Sequence, residues 1–170
     1  MDCATIRHMA SQLPLNPALL RPYLLEGLFS PDECAGLIIA GRQGRVLADP
    51  YTSQHPKRSA AGTGERRALL DQVAAGLVVQ RLMQAAYQVN QAHFCFEIQS
   101  VEVPHFITYS PGQASPWHMD ITDDQTTNRK LTMLIFLSDP GSYSGGRFAV
   151  FPGELEIDQS QGNVLLFPAF

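Results

Sequence analysis

Tyr109-Ser110-Pro111-Gly112-Gln113-Ala114-Ser115-Pro116-Trp117-His118-Met119-Asp120 follows an alternating segment and ends on two side chains of the kind that bind metals. His118 and Asp120 stand two apart, so in an extended backbone both leave the same face, because successive Cβ atoms alternate. An imidazole and a carboxylate then converge on one point. They form two thirds of a 2-His-1-carboxylate facial triad, which holds non-haem Fe(II) on three protein ligands and leaves positions open for a co-substrate and O2. By itself, His-x-Asp is equally well a loop histidine beside a solvated acid. Its surroundings favour the metal reading: Tyr109 ends an alternating run, Pro111-Gly112 makes a turn, and Leu131 to Leu137 downstream is strongly β-forming. This order predicts two antiparallel strands joined at a metal-bearing mouth.

Upstream, Phe94 to Tyr109 has a period of two. Val101, Val103, His105, Ile107 and Tyr109 fall on one face, and Glu102, Phe106 and Thr108 on the other. The first set is mostly apolar and is expected to point inward, bringing His105 and Tyr109 with it. Pro104 cannot donate to a ladder, which predicts an interruption or an edge there. Downstream, Asp123 to Asn128 reads as a polar loop. The apolar run Leu131 to Leu137 suits a strand covered on both faces. Ser138 to Gly146 reads as a turn, Arg147 to Phe151 as a short strand, Pro152-Gly153 as a second turn and Gly162 to Phe167 as a buried strand.

The N-terminal half reads as support. Pro14, Pro17 and Pro22 among leucines predict an irregular or briefly extended lead-in over residues 1 to 29. Ser30-Pro31-Asp32-Glu33 is a helix start with a capping box, and the helix should run to about Arg42 and bury Leu37, Ile38 and Cys34. Leu47 to Gly64 is rich in Pro, Gly and Ser and reads as a long solvated loop, in which Lys57 and Arg58 could meet an acidic substrate. Glu65 to about Asn90 has helical spacing, with Leu69, Val73, Leu77, Leu82, Ala86 and Val89 as its apolar stripe. Short strands with Gly/Pro turns after two helices predict a mainly β (α+β) fold: a double-stranded β-helix, or jelly roll, with N-terminal supporting helices. One domain over 1–170 is expected, with 1–93 as helical support and loop region and 94–170 as jelly-roll core.

Composition narrows the function. In 170 residues, 45% hydrophobic and 16% charged content supplies a sizeable core and argues against disorder. A net charge of −4, with ten Arg and two Lys scattered along the chain, gives no electrostatic grip for nucleic acid. A small-molecule or peptide substrate is the better expectation. Cys3, Cys34 and Cys95 are odd in number and lack Cys-x-x-Cys spacing, so they read as reduced thiols. With no apolar stretch of membrane-spanning length and no signal-peptide pattern at Met1 to Ala10, a cytoplasmic location is expected.

Tyr109-x-Pro-Gly with His118-x-Asp120 is followed by Arg129-Lys130-Leu131-Thr132 leading into Phe136-Leu137-Ser138. Next come Tyr143-Ser-Gly-Gly146, Phe151-Pro152 and Gly162-Asn-Val-Leu-Leu-Phe167. In this order and near this spacing, residues 94 to 170 resemble the prolyl 4-hydroxylase-like branch of the Fe(II)/2-oxoglutarate-dependent dioxygenases. The resemblance implies that His118 and Asp120 are iron ligands and that the Tyr109 hydroxyl donates to 2-oxoglutarate. Leu134, Phe136 and Phe148 would line the co-substrate pocket, and Trp117 would either flank the substrate mouth or pack on the outer face of its strand. Phe136 stands where some relatives have tyrosine, which removes one hydrogen bond to the co-substrate. The implied reagents are Fe(II), 2-oxoglutarate and O2, with ascorbate as an expected reductant.

The resemblance is incomplete in one respect. The family's second iron-binding histidine, and the Arg or Lys that pairs with the far carboxylate of 2-oxoglutarate, follow the strand equivalent to Val164 to Phe167. Both are expected beyond Phe170 if this chain is a piece of a longer one; a naturally short chain and a site completed differently are the alternatives. Within the sequence, His105 is the candidate substitute ligand, and Arg147 or Lys130 the candidate substitute anchor. Two other readings use the same barrel: a catalytically silent jelly-roll binding module, and a cupin-type metal enzyme without 2-oxoglutarate. Substrate identity and oligomeric state are left open.

Overall fold

Ser30-Pro31-Asp32-Glu33 starts a helix as the sequence predicts. The structure is a computed structural model that describes residues 21–47, 66–121, 128–150 and 155–170. Helix α1 spans Pro31–Gln43, with Ser30 as N-cap and the reciprocal Ser30–Glu33 capping box in place. Cys34 is buried on its inner face, and Leu37 packs against the same core. The Arg66 guanidinium donates to the last-turn carbonyls of Gly41 and Arg42 at 3.2 and 3.0 Å, satisfying groups that a helix end leaves without partners.

Before α1 comes β1 (Tyr23–Leu25), the brief extended piece expected in the lead-in. After it come β2 (Arg45–Val46), β3 (Arg66–Leu69), α2 (Gln72–Val89), a π-helical turn (Asn90–Phe94), β4 (His105–Thr108), β5 (Leu131–Ile135), a 3-10 turn (Pro140–Ser142) and β6 (Val164–Pro168). The architecture is mixed α+β. The six strands form two three-stranded antiparallel sheets, ordered β1-β6-β5 and β2-β3-β4. No helix among the described residues is long and apolar enough to cross a membrane.

β6 is the centre of the first sheet, and its apolar run is covered on both sides as expected. Val164, Leu165 and Leu166 are fully buried. Val164 and Leu166 pack with Leu131, Met133 and Ile135 against Val78, Leu82, Ala86 and Val89 of α2. Leu165 faces the other way, with Leu134, Phe136, Phe148, Val150, Ile157 and Phe167. The helices therefore lie on one side of the sheet, and the opposite side carries a smaller aromatic layer.

Several expectations are corrected. The helix expected from Glu65 begins only at Gln72, because the Asp71 carboxylate caps the Val73 and Ala74 N–H groups while Arg66 to Leu69 pair with β4 as a strand. Its buried stripe is Val78, Leu82, Ala85, Ala86 and Val89, and Val73 and Leu77 are 75% and 66% exposed. The strand expected over Phe94 to Tyr109 is ordered into a ladder only at His105–Thr108, after Pro104, and its faces are reversed. Phe106 is buried, whereas Val101, Val103, His105 and Tyr109 are exposed. The cause is Gly41 of α1, where the missing side chain leaves the space that the Phe106 ring occupies.

Arg147 to Val150 form no strand. The Gln159 side chain takes the place of a ladder partner, accepting from Phe148 N–H at 2.7 Å and donating to the Gly146 carbonyl at 3.1 Å. The Pro152-Gly153 turn, nearly all of the Leu47–Gly64 and Asp123–Asn128 loops, and residues 1–20 lie outside the described residues.

Candidate metal centre

The chain from Pro116 to Ile121 crosses the end of the first sheet. The N–H groups of Asp120 and Ile121 both donate to the Ala169 carbonyl, at 3.0 and 3.2 Å, and the Ala169 N–H donates to the Lys130 carbonyl at 3.1 Å. Asp120 is thereby tied to the entrance of β5. The segment is not part of a strand ladder, yet its two side chains converge as the spacing predicts. His118 Nε2 lies 3.3 Å from Asp120 Oδ1.

The outer atom of each side chain is also committed. His118 Nδ1 is 2.8 Å from the Pro116 carbonyl, to which it donates, and this leaves Nε2 as the atom that faces Asp120. Thr132 Oγ1 donates to Asp120 Oδ2 at 2.5 Å. Such outer hydrogen bonds orient metal-binding imidazoles and carboxylates. Donors 3.3 Å apart suit a shared ion with metal–ligand bonds of about 2.1 Å. A neutral imidazole with a carboxylate is a donor set that Fe(II) accepts, so these residues fit two of the three facial positions. Among the described residues, no group of three or more His, Cys, Asp or Glu is placed to hold one ion. His105, the candidate substitute ligand, does not complete the set, and Lys130 and Arg147 are exposed.

A second ion pair braces the site. Arg129 grips Glu102 with two bonds of 2.6 Å and donates to the Asp120 carbonyl at 2.9 Å. Glu102 precedes β4 and Arg129 precedes β5, so the pair links the two sheets. The electrostatics match this arrangement. The hydrogen bond to Asp120 raises the His118 pKa above its ordinary value, and the Pro116 carbonyl adds to this against the opposing effect of burial. Burial pushes the Asp120 carboxyl up, but hydrogen bonds from His118 and Thr132 and the charges of His118 and Arg129 outweigh it and hold the group below the usual range. The Arg129 hydrogen bond chiefly lowers Glu102. Desolvation, then the Arg67 charge, lowers His105.

Leu134, Phe136 and Phe148, the expected co-substrate wall, come together on the face opposite α2. The Phe136 and Phe148 rings are 6.1 Å apart, and Phe148 and Phe167 are 5.9 Å apart. Thr132 leaves β5 on that same face, two residues before Leu134, so the wall and the Asp120 carboxylate share one side of the sheet. Tyr109 is exposed, one residue beyond the end of β4. Trp117 is 62% exposed beside His118 and is not packed on the outer face of its segment. Arg58 lies outside the described residues.

Sequence reading missed the part played by Thr132 and the Arg129–Glu102 brace. For Thr132 a signal existed, as a lone hydroxyl in an otherwise apolar run that shares the alternation of Leu134 and Phe136. No protein-family model matches the chain, and no curated protein matches it.

Proposed function

We propose that the chain is a non-haem Fe(II)- and 2-oxoglutarate-dependent oxygenase of the prolyl 4-hydroxylase-like type, built on a jelly-roll core. It hydroxylates an unactivated C–H bond of a peptidyl proline, an amino acid or a small metabolite. One observation carries the reading: His118 Nε2 and Asp120 Oδ1 face each other across 3.3 Å, each with its outer atom already hydrogen-bonded. The fold supports it, with helices on one side of the β1-β6-β5 sheet and an aromatic wall with the candidate ligands on the other. A cytoplasmic location belongs to the same proposal and agrees with the free thiols of Cys34 and Cys95.

When bound, Fe(II) with 2-oxoglutarate supplies the oxidising chemistry that places an oxygen from O2 into a C–H bond, with release of succinate and CO2. The residues provide the setting. His118 offers Nε2 while Pro116 holds its Nδ1 proton, and Asp120 offers Oδ1 while Thr132 holds Oδ2. Leu134, Phe136 and Phe148 keep water from one side of the co-substrate, and the Tyr109 hydroxyl is the donor assigned to it. Arg129 keeps the Asp120 backbone in place.

The rival is a binding module in which the His118–Asp120 pair is structural. It draws support from the lack of a third ligand among the described residues. One experiment separates the two: incubation with Fe(II), ascorbate and 2-oxoglutarate, followed by succinate. Metal-dependent succinate release that His118→Ala abolishes supports the oxygenase. Its absence, together with unchanged His118 ring signals on addition of Mn(II), overturns it. Mn(II) binding without 2-oxoglutarate turnover favours a cupin-type site.

A further inference from the structure

The face of the β1-β6-β5 sheet that turns away from α2 carries a cavity of about 220 Å³ at its β1 side. Leu24 of β1 and Leu165 of β6 are cross-strand partners, and both pack with Ile157 in the layer opposite the helix. These three give the cavity an apolar floor, in which Leu165 is fully buried. Its mouth is charged: Arg21, just before β1, and Glu156 and Asp158, on the segment leading to β6, also line it and are exposed. Both supports of this mouth are held in place. The Arg21 carbonyl accepts from His93 Nε2 at 3.1 Å, and the Asp158 carboxylate accepts from the Ser160 N–H and hydroxyl at 2.9 and 2.6 Å. Asn163 reaches Asp158 Oδ2 at 3.3 Å and accepts from the Gly27 N–H at 2.8 Å, so the acidic segment is tied to the residues that follow β1. Asp158 is thereby committed to its own loop, whereas the ion pairs among the described residues include neither Arg21 nor Glu156.

We propose that this cavity binds a free α-amino acid with an apolar side chain: the side chain rests on Leu24, Ile157 and Leu165, the carboxylate pairs with Arg21 and the ammonium with Glu156. The guanidinium presents a planar fork that binds a carboxylate through two parallel charge-assisted hydrogen bonds. A carboxylate oxygen of Glu156 is the matching acceptor for an ammonium, which has donors only. A free amino acid carries both charges on one carbon, whereas an internal peptide residue carries neither and a fatty acid leaves Glu156 without a counterpart. The volume, below the roughly 300–1,000 Å³ of sites for drug-sized ligands, suits a molecule of this size. His118, Asp120, Phe136 and Phe148 do not line the cavity, so the site is separate from the candidate metal pair and its aromatic wall and stands independently of the oxygenase reading.

The test titrates the full chain, metal-free, with leucine, leucinamide, 4-methylpentanoate and alanine, following the methyl signals of Leu24, Ile157 and Leu165 by NMR. Leucine should move these signals saturably. Because the charged mouth is open to water, loss of either ligand charge, in leucinamide or in 4-methylpentanoate, should weaken binding about fivefold. Alanine, which leaves the apolar floor uncovered, should bind at least about tenfold more weakly than leucine. Arg21→Gln should erase the preference for leucine over leucinamide, and Glu156→Gln the preference for leucine over 4-methylpentanoate; both residues are exposed, so neither change disturbs folding. No saturable shift with leucine at millimolar concentration, binding of leucinamide or 4-methylpentanoate as tight as that of leucine, or a preference that survives its variant overturns the proposal.

Discussion

Thr132 Oγ1 donates to Asp120 Oδ2 at 2.5 Å, and this bond ties the carboxylate of an irregular segment to the most regular sheet in the protein. It leaves Oδ1 facing His118, so the aim of the carboxylate is set from β5 and not from the Pro116–Ile121 segment itself.

Thr132→Val, which removes the hydroxyl at similar size, should therefore weaken Mn(II) or Co(II) binding by about tenfold or more, the usual cost of losing an outer-shell partner. Folding stability should fall by only about 1 kcal/mol, the net worth of one hydrogen bond. Metal titration followed by urea unfolding of the same samples checks both. A variant with wild-type metal affinity would show that Thr132 does not aim the carboxylate.

The Arg129–Glu102 pair gives a pH dependence of definite sign. The Glu102 pKa is lowered in the folded state, first by the Arg129 hydrogen bond. Its contribution is thus present above the ordinary carboxylate value of about 4.3 and lost as pH falls through the lowered value. Glu102 is 61% exposed, so screening limits the effect to about 0.5–1 kcal/mol. Glu102→Gln should be less stable than wild type by that amount near neutrality, and the gap should close as pH drops from about 6 toward about 3. Urea midpoints across that range decide it; a constant gap would place the effect in packing.

The direction in which α2 faces is open to a simple comparison. Leu82→Ala removes a buried side chain and should cost about 2–5 kcal/mol. Leu77→Glu, on the exposed face, should stay within about 0.5 kcal/mol of wild type. Equal losses would mean that a helix rotated to bury Leu69, Val73 and Leu77 is the native one.

How far these features could be read beforehand depends on whether the deciding interaction is local. The start of α1 was legible because Ser30, Pro31 and Glu33 act within one turn, and β6 because Val164 to Leu166 are apolar in an unbroken run. His118 and Asp120 were legible because their relation spans two residues. The beginning of α2 was not, since helical spacing continues through Arg66 to Leu69 and only pairing with β4 turns them into a strand. The inward face of β4 was misread because Val101, Val103 and Ile107 outnumber Phe106, and the glycine that makes room for Phe106 is 65 positions away in α1.

Gly162 fixes how β6 enters its sheet, and there a methyl group should have a large effect. Its φ is +87°, a left-handed backbone that side chains rarely adopt. Its N–H donates to the Phe136 carbonyl at 2.8 Å, and its carbonyl accepts from the Phe29 N–H at 3.1 Å, so the residue joins the end of β5 to the approach to α1. A Cβ at this position would run into the Phe29 carbonyl. Gly145 provides the control: its φ is +79°, with open space where a Cβ would go. Gly145→Ala should cost only the conformational strain, about 1 kcal/mol. Gly162→Ala should add to that strain a displaced backbone hydrogen bond and lose about 3 kcal/mol in all. Because β6 lies between β1 and β5, the added loss acts on both ladders, and the Gly162→Ala variant should melt well below Gly145→Ala in parallel thermal scans. Equal melting temperatures would mean that the Phe29 carbonyl yields without cost, and that the junction of β6 with the α1 approach is looser than its two hydrogen bonds imply.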